Sequence, residues 1–233
     1  MKQNKTIAFI YAHPDDETFS SSYLIRQTVD EGHRAVLLTA TRGDAGKTGR
    51  LGSMTPQELA ARRERELERA ARILRIAEVR QLGLGDGKLK DVPAEELQKQ
   101  IEDFIADHNA EVVVTFPVDG ISGHKDHIVI HHAVNAVVFS GRTPTVQKLY
   151  YNQLGNYQSE SSSVVKVEAG SYWEAKRLAL QAHESQILSI ERVFGDLGPE
   201  VPSHHRFEAF ELAWERGVHF PQKSERSIWD DLR

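Results

Sequence analysis

The sequence predicts an α/β fold, with a mainly parallel sheet flanked by helices and a smaller C-terminal extension of strands and a helix. Apolar runs of strand length alternate with longer segments of helical periodicity before residue 150, which is the order that builds parallel βαβ units. After residue 145 the alternation loosens. Because 233 residues with 39% hydrophobic composition suit one domain, we expect a single domain, 1–233, with its core at 1–145 and the extension at 146–233.

Capping residues and apolar periodicity mark the elements of the core. Thr55 and Pro56 provide an N-cap and a first turn, and leucines and alanines follow at helical spacing, so a helix is expected at 55–76. EVVVTFP (111–117) is continuously apolar, as in a strand buried on both faces. The elements expected are strands at 6–12, 34–41, 79–84 and 111–117, helices at 17–31, 55–76 and 93–108, and a glycine-marked loop running into a helix within 118–138.

The extension is expected to add strands and one helix. RFEAFELAWE (206–215) alternates apolar and polar positions, as a half-buried strand does. SESSSVV (159–165) is the best candidate for a flexible surface loop. The other elements expected are strands at 146–154 and 164–169 and a helix at 172–188.

Composition narrows the classes of partner. Lys and Arg total 29 and Asp and Glu total 34, a formal charge of 29 − 34 = −5, and no basic block stands clear of acids, so no nucleic-acid partner is expected. Polar residues interrupt the N-terminal stretch too often for a signal peptide or membrane span, which predicts a soluble cytoplasmic protein without a membrane partner. The chain has no cysteine, which excludes disulfides and cysteine metal sites. A homo-oligomer is compatible with the sequence.

Two polar loops directly follow predicted strands. HPDDE (13–17) comes after the first strand, and GHKDH (123–127) comes after the strand at 111–117. Ligands of open parallel sheets bind outside the carboxyl ends of the strands. We therefore expect both loops to open onto the same edge of the sheet, although they are far apart in the chain.

The first loop crowds one histidine and three acids together: His13, Asp15, Asp16 and Glu17. Buried carboxylates this close raise one another's pKa unless a cation neutralises them. Pro14 suits a first helical turn, where His13 and Asp16, at i and i+3, can face one side and share an ion. This spacing predicts two ligands of a divalent metal.

The second loop offers two imidazoles, His124 and His127, again at i and i+3, with Asp126 between them. A site of two histidines and one carboxylate with an open position for water is the layout of a catalytic zinc. The same ligand set suits non-haem Fe(II), so an oxygenase is an alternative. His127 and His131, at i and i+4, are an alternative metal pair.

Each loop also has a simpler interpretation. HPDD is typical of a helix N-terminus, where acids complement the helix dipole and cap free N–H groups. HKDH is typical of a polar helix surface. Their occurrence together, at matching strand ends and without a competing cysteine site, favours the metal.

Four motifs together resemble the LmbE/PIG-L family of zinc-dependent deacetylases of N-acetylglucosamine-containing compounds. They are AHPDDE (12–17), RxxEL (63–67), GHKDH (123–127) and AHESQ (182–186). Lys125 stands where the family more often has proline, outside the chemical positions. The resemblance implies a Rossmann-like α/β fold.

The resemblance also implies the metal site and the base. His13, Asp16 and His127 correspond to the ligands of one Zn²⁺ per chain, with another divalent metal such as Fe²⁺ as the alternative. Asp15 corresponds to the general base acting on the metal-bound water.

Two residues of the second loop acquire implied roles as well. His124 corresponds to the cationic partner that stabilises the oxyanion or protonates the leaving amine. Asp126 would hold His124 and, by opposite charge, keep it protonated near neutral pH.

Three further residues are implied to contact the substrate. Arg63 matches the family's substrate-contacting arginine by its offset within RxxEL, although ARRERELERA is also typical of a solvated helix face rich in i,i+4 ion pairs. Asp44 lies in TRGDAGKTG (41–49), a glycine-rich loop that could close over a sugar or be an ordinary connection. His183 matches a recurring late motif, although a lone histidine on a helix is more often packed or at the surface.

The implied reaction removes the acetyl group from an N-acetylglucosaminyl conjugate. ELAARRERELERAARIL followed by VRQLGLGDGKL is most similar to the deacetylases of bacillithiol biosynthesis, which implies N-acetylglucosaminyl malate as the small-molecule substrate. One alternative is an amidase acting on a larger sugar–thiol S-conjugate. Another is a nucleotide-binding module, against which the acids and the lack of Gly-x-Gly at the first turn argue.

Overall fold

The computed structural model describes residues 4–153 and 163–233, which form a sheet of eight strands with helices packed against it. The strands are β1 (Thr6–Tyr11), β2 (Arg34–Thr41), β3 (Glu78–Leu84), β4 (Val112–Thr115), β5 (Lys148–Gln153), β6 (Val164–Glu168), β7 (Phe207–Glu215) and β8 (Val218–His219). The helices are α1 (Asp16–Asp30), α2 (Pro56–Leu74), α3 (Ala94–His108), the short turn α4 (Gly120–Gly123), α5 (Lys125–Phe139), α6 (Trp173–Ala182) and α7 (Ile187–Phe194). The loop predicted at 159–165 lies outside the described residues as far as position 162.

The strands are arranged in the order β3-β2-β1-β4-β5-β7-β6, and β8 pairs with β7. Strands β1 to β5 are parallel to one another where they pair, whereas β7 is antiparallel to β5, β6 and β8. The predicted α/β fold with a mainly parallel sheet is therefore confirmed. The segment after residue 145 contributes β5 to β8 to this same sheet.

The chain changes direction across the sheet between β1 and β4. After β1 it runs outward through β2 to β3, and it then returns to place β4 on the other side of β1. At such a switch point the loops that leave the two strands diverge and form a crevice at their carboxyl ends. The HPDDE loop leaves β1, and the segment leading to GHKDH leaves β4. Both polar loops therefore face this crevice.

Continuous apolar sequence explains the central strands. Every residue of β1 and β4 is buried, and so is every residue of β2 after the first. Burial on both faces is what two layers of helices produce. Helices α1, α2 and α6 contact one another, and α3 contacts α5, which gives the two layers. No helix of the described residues is long and apolar enough to cross a membrane.

Helix α2 is fixed at its start and carries charge on its buried face. Thr55 and Glu58 form a capping box, in which each side chain accepts a hydrogen bond from the other residue's backbone N–H. The buried face is mostly leucine and alanine, but it also contains Arg63 and Glu66. Charged residues are rarely fully buried unless paired, and both of these prove to be bonded near the crevice.

The helix predicted at 172–188 is interrupted. Helix α6 ends at Ala182, Glu184–Gln186 form a 3-10 turn, and α7 then begins. The buried Glu66 carboxylate accepts hydrogen bonds from the Ser185 N–H at 3.0 Å and the Ser185 hydroxyl at 2.7 Å. A continuous helix would have used that N–H within its own backbone, so the contact with α2 favours the break.

A buried ion pair ties the C-terminal residues to β5. The Nζ of Lys148 lies 2.9 Å from the Glu225 carboxylate, and both side chains are fully buried. The hydroxyl of Tyr150 also donates to Glu225. Burial lowers the pKa of Lys148, while its hydrogen bonds to Glu225 oppose that change. This pair lies at the start of β5, remote from the crevice.

Candidate active site

A cavity of about 520 Å³ opens at the carboxyl ends of the parallel strands. This volume lies within the range typical of small-molecule sites. Its walls come from the loops after β1, β2, β3 and β4 and from the turn and helix that follow α6. The polar side chains of the wall include those of His13, Asp15, Asp16, Lys47, Arg63, Asp86, His124, His127, Gln186 and Arg192.

His13 presents a different environment to each ring nitrogen. Its Nε2 lies 3.0 Å from the Asp86 carboxylate and 3.3 Å from that of Asp126. Its Nδ1 lies 3.2 Å from Nε2 of His127 and 3.5 Å from the Asp16 carboxylate. Because ionised carboxylates only accept hydrogen bonds, the neutral ring carries its proton on Nε2, and the lone pair of Nδ1 faces His127 and Asp16.

The backbone fixes the tautomer of His127. Its Nδ1–H donates to the carbonyl of Gly120 at 3.1 Å, which leaves a lone pair on Nε2, 3.3 Å from Asp16 Oδ1. Gly120 has φ +60, and a Cβ there would lie 2.9 Å from the Cβ of His127, so this close approach requires glycine. The ring of Phe116 stacks on that of His127 with 3.9 Å between centroids and fixes its plane.

Three donor groups therefore lie close together. Nδ1 of His13 is 3.2 Å from Nε2 of His127 and 3.5 Å from Oδ2 of Asp16, and Nε2 of His127 is 3.3 Å from Oδ1 of Asp16. When both rings are neutral, the lone pairs of His13 Nδ1 and His127 Nε2 face one another and would repel, so a proton or a metal cation between them is favourable. A tetrahedral zinc with bonds of about 2.0–2.1 Å separates neighbouring ligand atoms by about 3.3 Å. The three predicted ligands thus fit a divalent metal, and a set of three leaves the open position of a catalytic site.

The charges around His13 favour a cation. Burial lowers the pKa of His13, but hydrogen bonds to Asp126, Asp16 and Asp86 raise it more, so that it lies well above its ordinary value. A potential that holds a proton on this ring also attracts a divalent metal, which would take the proton's place.

Asp126 and Asp86 hold His13 from the side opposite to the other ligands. The Asp126 carboxylate also accepts hydrogen bonds from the N–H groups of Gly87 at 2.7 Å and Leu89 at 3.2 Å. His13, Asp86 and Asp126 are a second group of side chains that could surround an ion, in which Nε2 of His13 rather than Nδ1 would be the ligand atom. A carboxylate on the distal nitrogen instead orients a metal-binding imidazole and increases its basicity.

His124 lacks the partner predicted for it. The Asp126 carboxylate binds His13, and Nδ1 of His124 accepts the backbone N–H of Asp126 at 3.3 Å. Burial lowers the pKa of His124, and the neighbouring His13 and His127 lower it further, which outweighs the Asp126 charge. The expectation that Asp126 keeps His124 cationic is therefore corrected: the structure favours a neutral ring with Nε2–H as its donor.

Asp15 lies beside the ligand set. Its side chain is 15% exposed, lines the cavity and lies 3.3 Å from the guanidinium of Arg63. Burial raises the pKa of Asp15 to about 6, with the Arg63 charge opposing and the Asp16 charge adding to the effect. The carboxylate makes no capping hydrogen bond to α1, so the helix-capping interpretation of HPDD does not describe it.

Arg63 is buried rather than part of a solvated helix face, with 3% exposure. Its guanidinium donates to the carbonyl oxygen of Gly43 at 3.1 Å and to that of Pro14, and it pairs with Asp15. A Cβ on Gly43 or Gly46 would lie 2.2 or 2.6 Å from Nη1 of Arg63. The glycines of the loop after β2 therefore make room for this arginine at the cavity wall.

His183, predicted to contact the substrate, is wholly buried, and it is absent from the described cavity wall. Its Nε2 lies 3.1 Å from Oε1 of Glu17. The other carboxylate oxygen of Glu17 accepts the backbone N–H of Asp15 at 3.1 Å. The structure thus connects His183 to Asp15 through Glu17.

Asp44 is half-buried, and its carboxylate accepts the backbone N–H of Asp86 at 3.2 Å, so it supports the loop after β3. It is not among the described residues of the cavity wall. Sequence reasoning missed Asp86, although GLGDGKL places an acid directly after β3, at the edge where the other loops lie. It also missed Gln186, which lines the cavity and donates to the carbonyl of Lys47 at 2.8 Å.

The alternative metal pair of His127 and His131 does not form. Nδ1–H of His131 donates to the carbonyl of Phe116 at 2.9 Å, and Nε2 accepts from the Asn135 amide at 2.9 Å. Both ring nitrogens of His131 are therefore occupied.

A larger hollow of about 790 Å³ lies at the amino ends of the strands, where Thr6, His108 and Gln147 are among its lining residues. Within the described part of the chain, each group of side chains that could hold a metal includes His13 and lies at the opposite edge. The smaller cavity is therefore the candidate active site.

A solved structure with the same architecture carries a different reaction in its name. The 4-carboxy-2-hydroxymuconate hydratase GalB of Pseudomonas putida KT2440 matches 96% of this chain and 100% of its own with a TM-score of 0.69 and 16% identity. At this identity the likeness shows the fold alone, and function has to be argued from the site.

Similarity to known sequences is more specific. The chain is 30% identical to a "Probable N-acetyl-alpha-D-glucosaminyl L-malate deacetylase 2" of Bacillus anthracis, over 84% of this chain and 89% of that protein. It is 27% identical to a 1D-myo-inositol 2-acetamido-2-deoxy-alpha-D-glucopyranoside deacetylase of Saccharomonospora viridis, over 77% of this chain and 84% of that protein. The family model described as PIG-L, GlcNAc-PI de-N-acetylase, matches residues 8–138, which include both polar loops and α2. The chain therefore belongs to the PIG-L family of de-N-acetylases.

Proposed function

We propose that this protein is a zinc-dependent hydrolase that removes the acetyl group from N-acetylglucosaminyl malate. The observation that carries the proposal is the convergence of the His13 and His127 lone pairs with the Asp16 carboxylate, 3.2 to 3.5 Å apart, beside Asp15. Membership of a de-N-acetylase family supports the amide-hydrolase class. The names of the relatives support a sugar-linked acetamide as the substrate class.

His13, Asp16 and His127 would hold the zinc ion. The chemistry that bound zinc supplies is polarisation of the acetamide carbonyl and acidification of water. Asp15, at the cavity wall and outside the ligand set, takes the proton of the attacking water as the water oxygen bonds to the acetamide carbon. Arg63 fixes the Asp15 carboxylate for this task.

His124 acts on the other side of the reaction. Its Nδ1 is occupied by the backbone N–H of Asp126, so Nε2–H is the donor available for a hydrogen bond to the developing oxyanion. As the C–N bond breaks, the departing nitrogen takes up the proton that Asp15 removed from the water, and the products are acetate and a free amine.

The charge of the outer cavity favours malate over inositol as the aglycone. Lys47 and Arg192 line the cavity, both are exposed, and neither forms an ion pair with another described residue. Malate carries carboxylates that these cations can bind, whereas inositol is neutral. An arginine guanidinium matches carboxylate geometry particularly well.

The substrate proposal is tested with the zinc-loaded protein and two glycosides, N-acetylglucosaminyl malate and N-acetylglucosaminyl inositol, by measuring acetate and free amine. We expect a higher kcat/KM for the malate glycoside. Arg192→Gln should lower that kcat/KM about 10-fold, as the loss of one charge-assisted hydrogen bond of about 1.5 kcal/mol does, and should leave the inositol glycoside unaffected. Arg72→Gln, exposed on α2 and outside the cavity wall, is the matched control. A preference for the inositol glycoside would refute malate, and absence of acetate release from both would refute the deacetylase.

The same proposal includes a place in bacillithiol biosynthesis, one zinc ion per chain and a cytoplasmic location. It also treats residues 1–233 as one domain. Support for the single domain comes from β5 and β7, which lie after residue 145 and continue the sheet of the preceding residues.

A further inference from the structure

Asp15 has an unusual backbone conformation for a residue with a side chain. Its φ is 119 and its ψ is −26, in the positive-φ region that side chains disfavour. Such a conformation is energetically unfavourable and persists only where the surroundings hold it. Its carbonyl accepts the N–H groups of Thr18 and Phe19, both at 2.9 Å, and its own N–H is held by Glu17.

Glu17 is bonded on both carboxylate oxygens. Oε2 accepts the N–H of Asp15 at 3.1 Å. Oε1 accepts the hydroxyl of Thr18 at 2.6 Å and lies 3.1 Å from Nε2 of His183. Glu17 is fully buried, and a buried carboxylate is tolerated only with such partners.

The ring of His183 makes its polar contacts with Glu17 and Thr18, through one nitrogen. Its side chain is fully buried, and its Nδ1 has no hydrogen-bond partner among the described residues. Nε2, by contrast, faces Glu17 and the Thr18 hydroxyl. A buried imidazole with one nitrogen unpaired is unfavourable, so Glu17 is the contact that accounts for a histidine at this position.

We propose that Glu17 and His183 are positioning residues, which together hold the Asp15 backbone in the conformation that aims its carboxylate at the reaction centre. Neither residue is among the described residues that line the cavity. Their effect would pass through the backbone N–H of Asp15 and leave the metal ligands in place. The inference rests on the proposed function in one respect, the role of Asp15 as base.

The inference predicts a specific kinetic signature. If Asp15 relaxes from its strained conformation, the chemical step slows, while substrate binding and the ligand set remain. A displacement of about 1 Å in a catalytic group can lower the rate about 100-fold. Loss of the His183 donor should therefore reduce kcat without a matching change in KM or zinc content.

The test compares variants of the zinc-loaded protein. His183→Leu removes the donor, and His183→Gln restores an amide N–H close to the position of Nε2. Glu208→Gln is the matched control, because Glu208 is a buried carboxylate that also holds α1, through the N–H groups of Tyr23 and Leu24, but does not contact Asp15. We expect His183→Leu to lower kcat about 100-fold at constant KM and zinc content, His183→Gln to recover most of the rate, and Glu208→Gln to lower Tm without this kinetic loss.

Two results would overturn the inference. The first is that His183→Leu and Glu208→Gln have the same kcat. The second is that His183→Leu loses zinc in proportion to its loss of kcat. If His183→Leu does not fold, Glu17→Gln carries the same expectation, since an amide in place of the carboxylate cannot accept on both sides. Asp15→Asn separates this failure from that of the proposed function. If Asp15→Asn loses most of its kcat while His183→Leu keeps the wild-type kcat, only the positioning role is rejected. If Asp15→Asn remains active, the role of Asp15 as base is rejected.

Discussion

Nε2 of His13 lies 3.0 Å from the carboxylate of Asp86, on the side of the ring opposite to the other proposed ligands. Burial alone would raise the pKa of Asp86, but its hydrogen bond to His13 and the charges of His13 and Arg63 lower it below the ordinary value. Asp86 is therefore ionised and oriented to hold the imidazole proton. Through His13, Asp86 would influence the proposed zinc ion without being one of its proposed ligands.

Asp86→Asn should weaken zinc binding without removing a ligand. Loss of a carboxylate behind a metal-binding histidine typically reduces metal affinity 10–100-fold. Competition with a chromophoric chelator measures this directly. Asp107→Asn, which removes an exposed partner of Arg80, serves as the control and should bind zinc like the wild type, while unchanged affinity in Asp86→Asn would show that His13 is oriented by other groups.

Asp15→Asn and His127→Ala should fail in different ways. Asp15→Asn keeps the three proposed ligands, so we expect about one zinc per chain and a fall in kcat of roughly 10²- to 10⁴-fold, the usual contribution of a general base. His127→Ala removes a ligand and should lose the metal together with activity. Metal analysis beside kcat separates the two, and near wild-type turnover by Asp15→Asn would contradict its assignment as base.

Gly43→Ala should lower activity by displacing Arg63. The new Cβ would lie 2.2 Å from the guanidinium, which then cannot keep its place beside Asp15. We expect kcat/KM to fall about 100-fold, the effect of a misplacement of about 1 Å at a reaction centre. Gly52→Ala is a close control, since Gly52 also has positive φ but has no neighbour within 4 Å. Equal activity in the two variants would mean that Arg63 adapts without consequence.

His131 should make the stability of the protein depend on pH on the acidic side. Burial lowers the pKa of His131, and the charge of His132 adds to this, while the hydrogen bond to Phe116 and the charge of Asp119 oppose it. As pH falls through about 6.5 the unfolded chain takes up the proton first. The contribution of His131 to the free energy of unfolding is therefore complete above pH 6.5 and is lost as the pH falls to the folded pKa, by at most about 1.4 kcal/mol per pH unit for one proton.

Denaturant unfolding between pH 5 and pH 7.5 tests this expectation. His131→Gln should be less stable at neutral pH and should show a shallower dependence on pH than the wild type. His219→Gln changes an exposed histidine and should reproduce the wild-type slope. Parallel curves for wild type and His131→Gln would assign the acid sensitivity to other groups.

The elements that sequence predicted best are those whose pattern depends on burial alone. The continuous apolar runs of β1, β2 and β4 predicted strands buried on both faces, which is where they lie. Thr55 and Pro56 predicted the start of α2. The segment around His183 was predicted as one helix because its local periodicity continues. The helix is instead interrupted between α6 and α7, where the N–H of Ser185 donates to the buried carboxylate of Glu66. Glu66 lies more than a hundred residues earlier, so the local sequence pattern does not reveal this contact.

The same distinction applies to the site. Strand ends and i,i+3 spacing brought His13, Asp16 and His127 together correctly as neighbours, while their roles stay a prediction. The partner of Asp126 could not be predicted, because the choice between His13 and His124 depends on where the loop after β3 presents Gly87 and Leu89. Sequence places residues at an edge, but ring orientation follows from contacts made after folding.

The turn at 183–186 has a practical consequence for anyone who trims this chain to a minimal fragment. The family match ends at residue 138, and all the proposed ligands and the base lie before that point. A truncation there would nevertheless remove a partner from each of two buried acids, since Glu17 loses His183 and Glu66 loses Ser185. Such a fragment would retain every reacting group and lack the scaffolding that keeps them aligned.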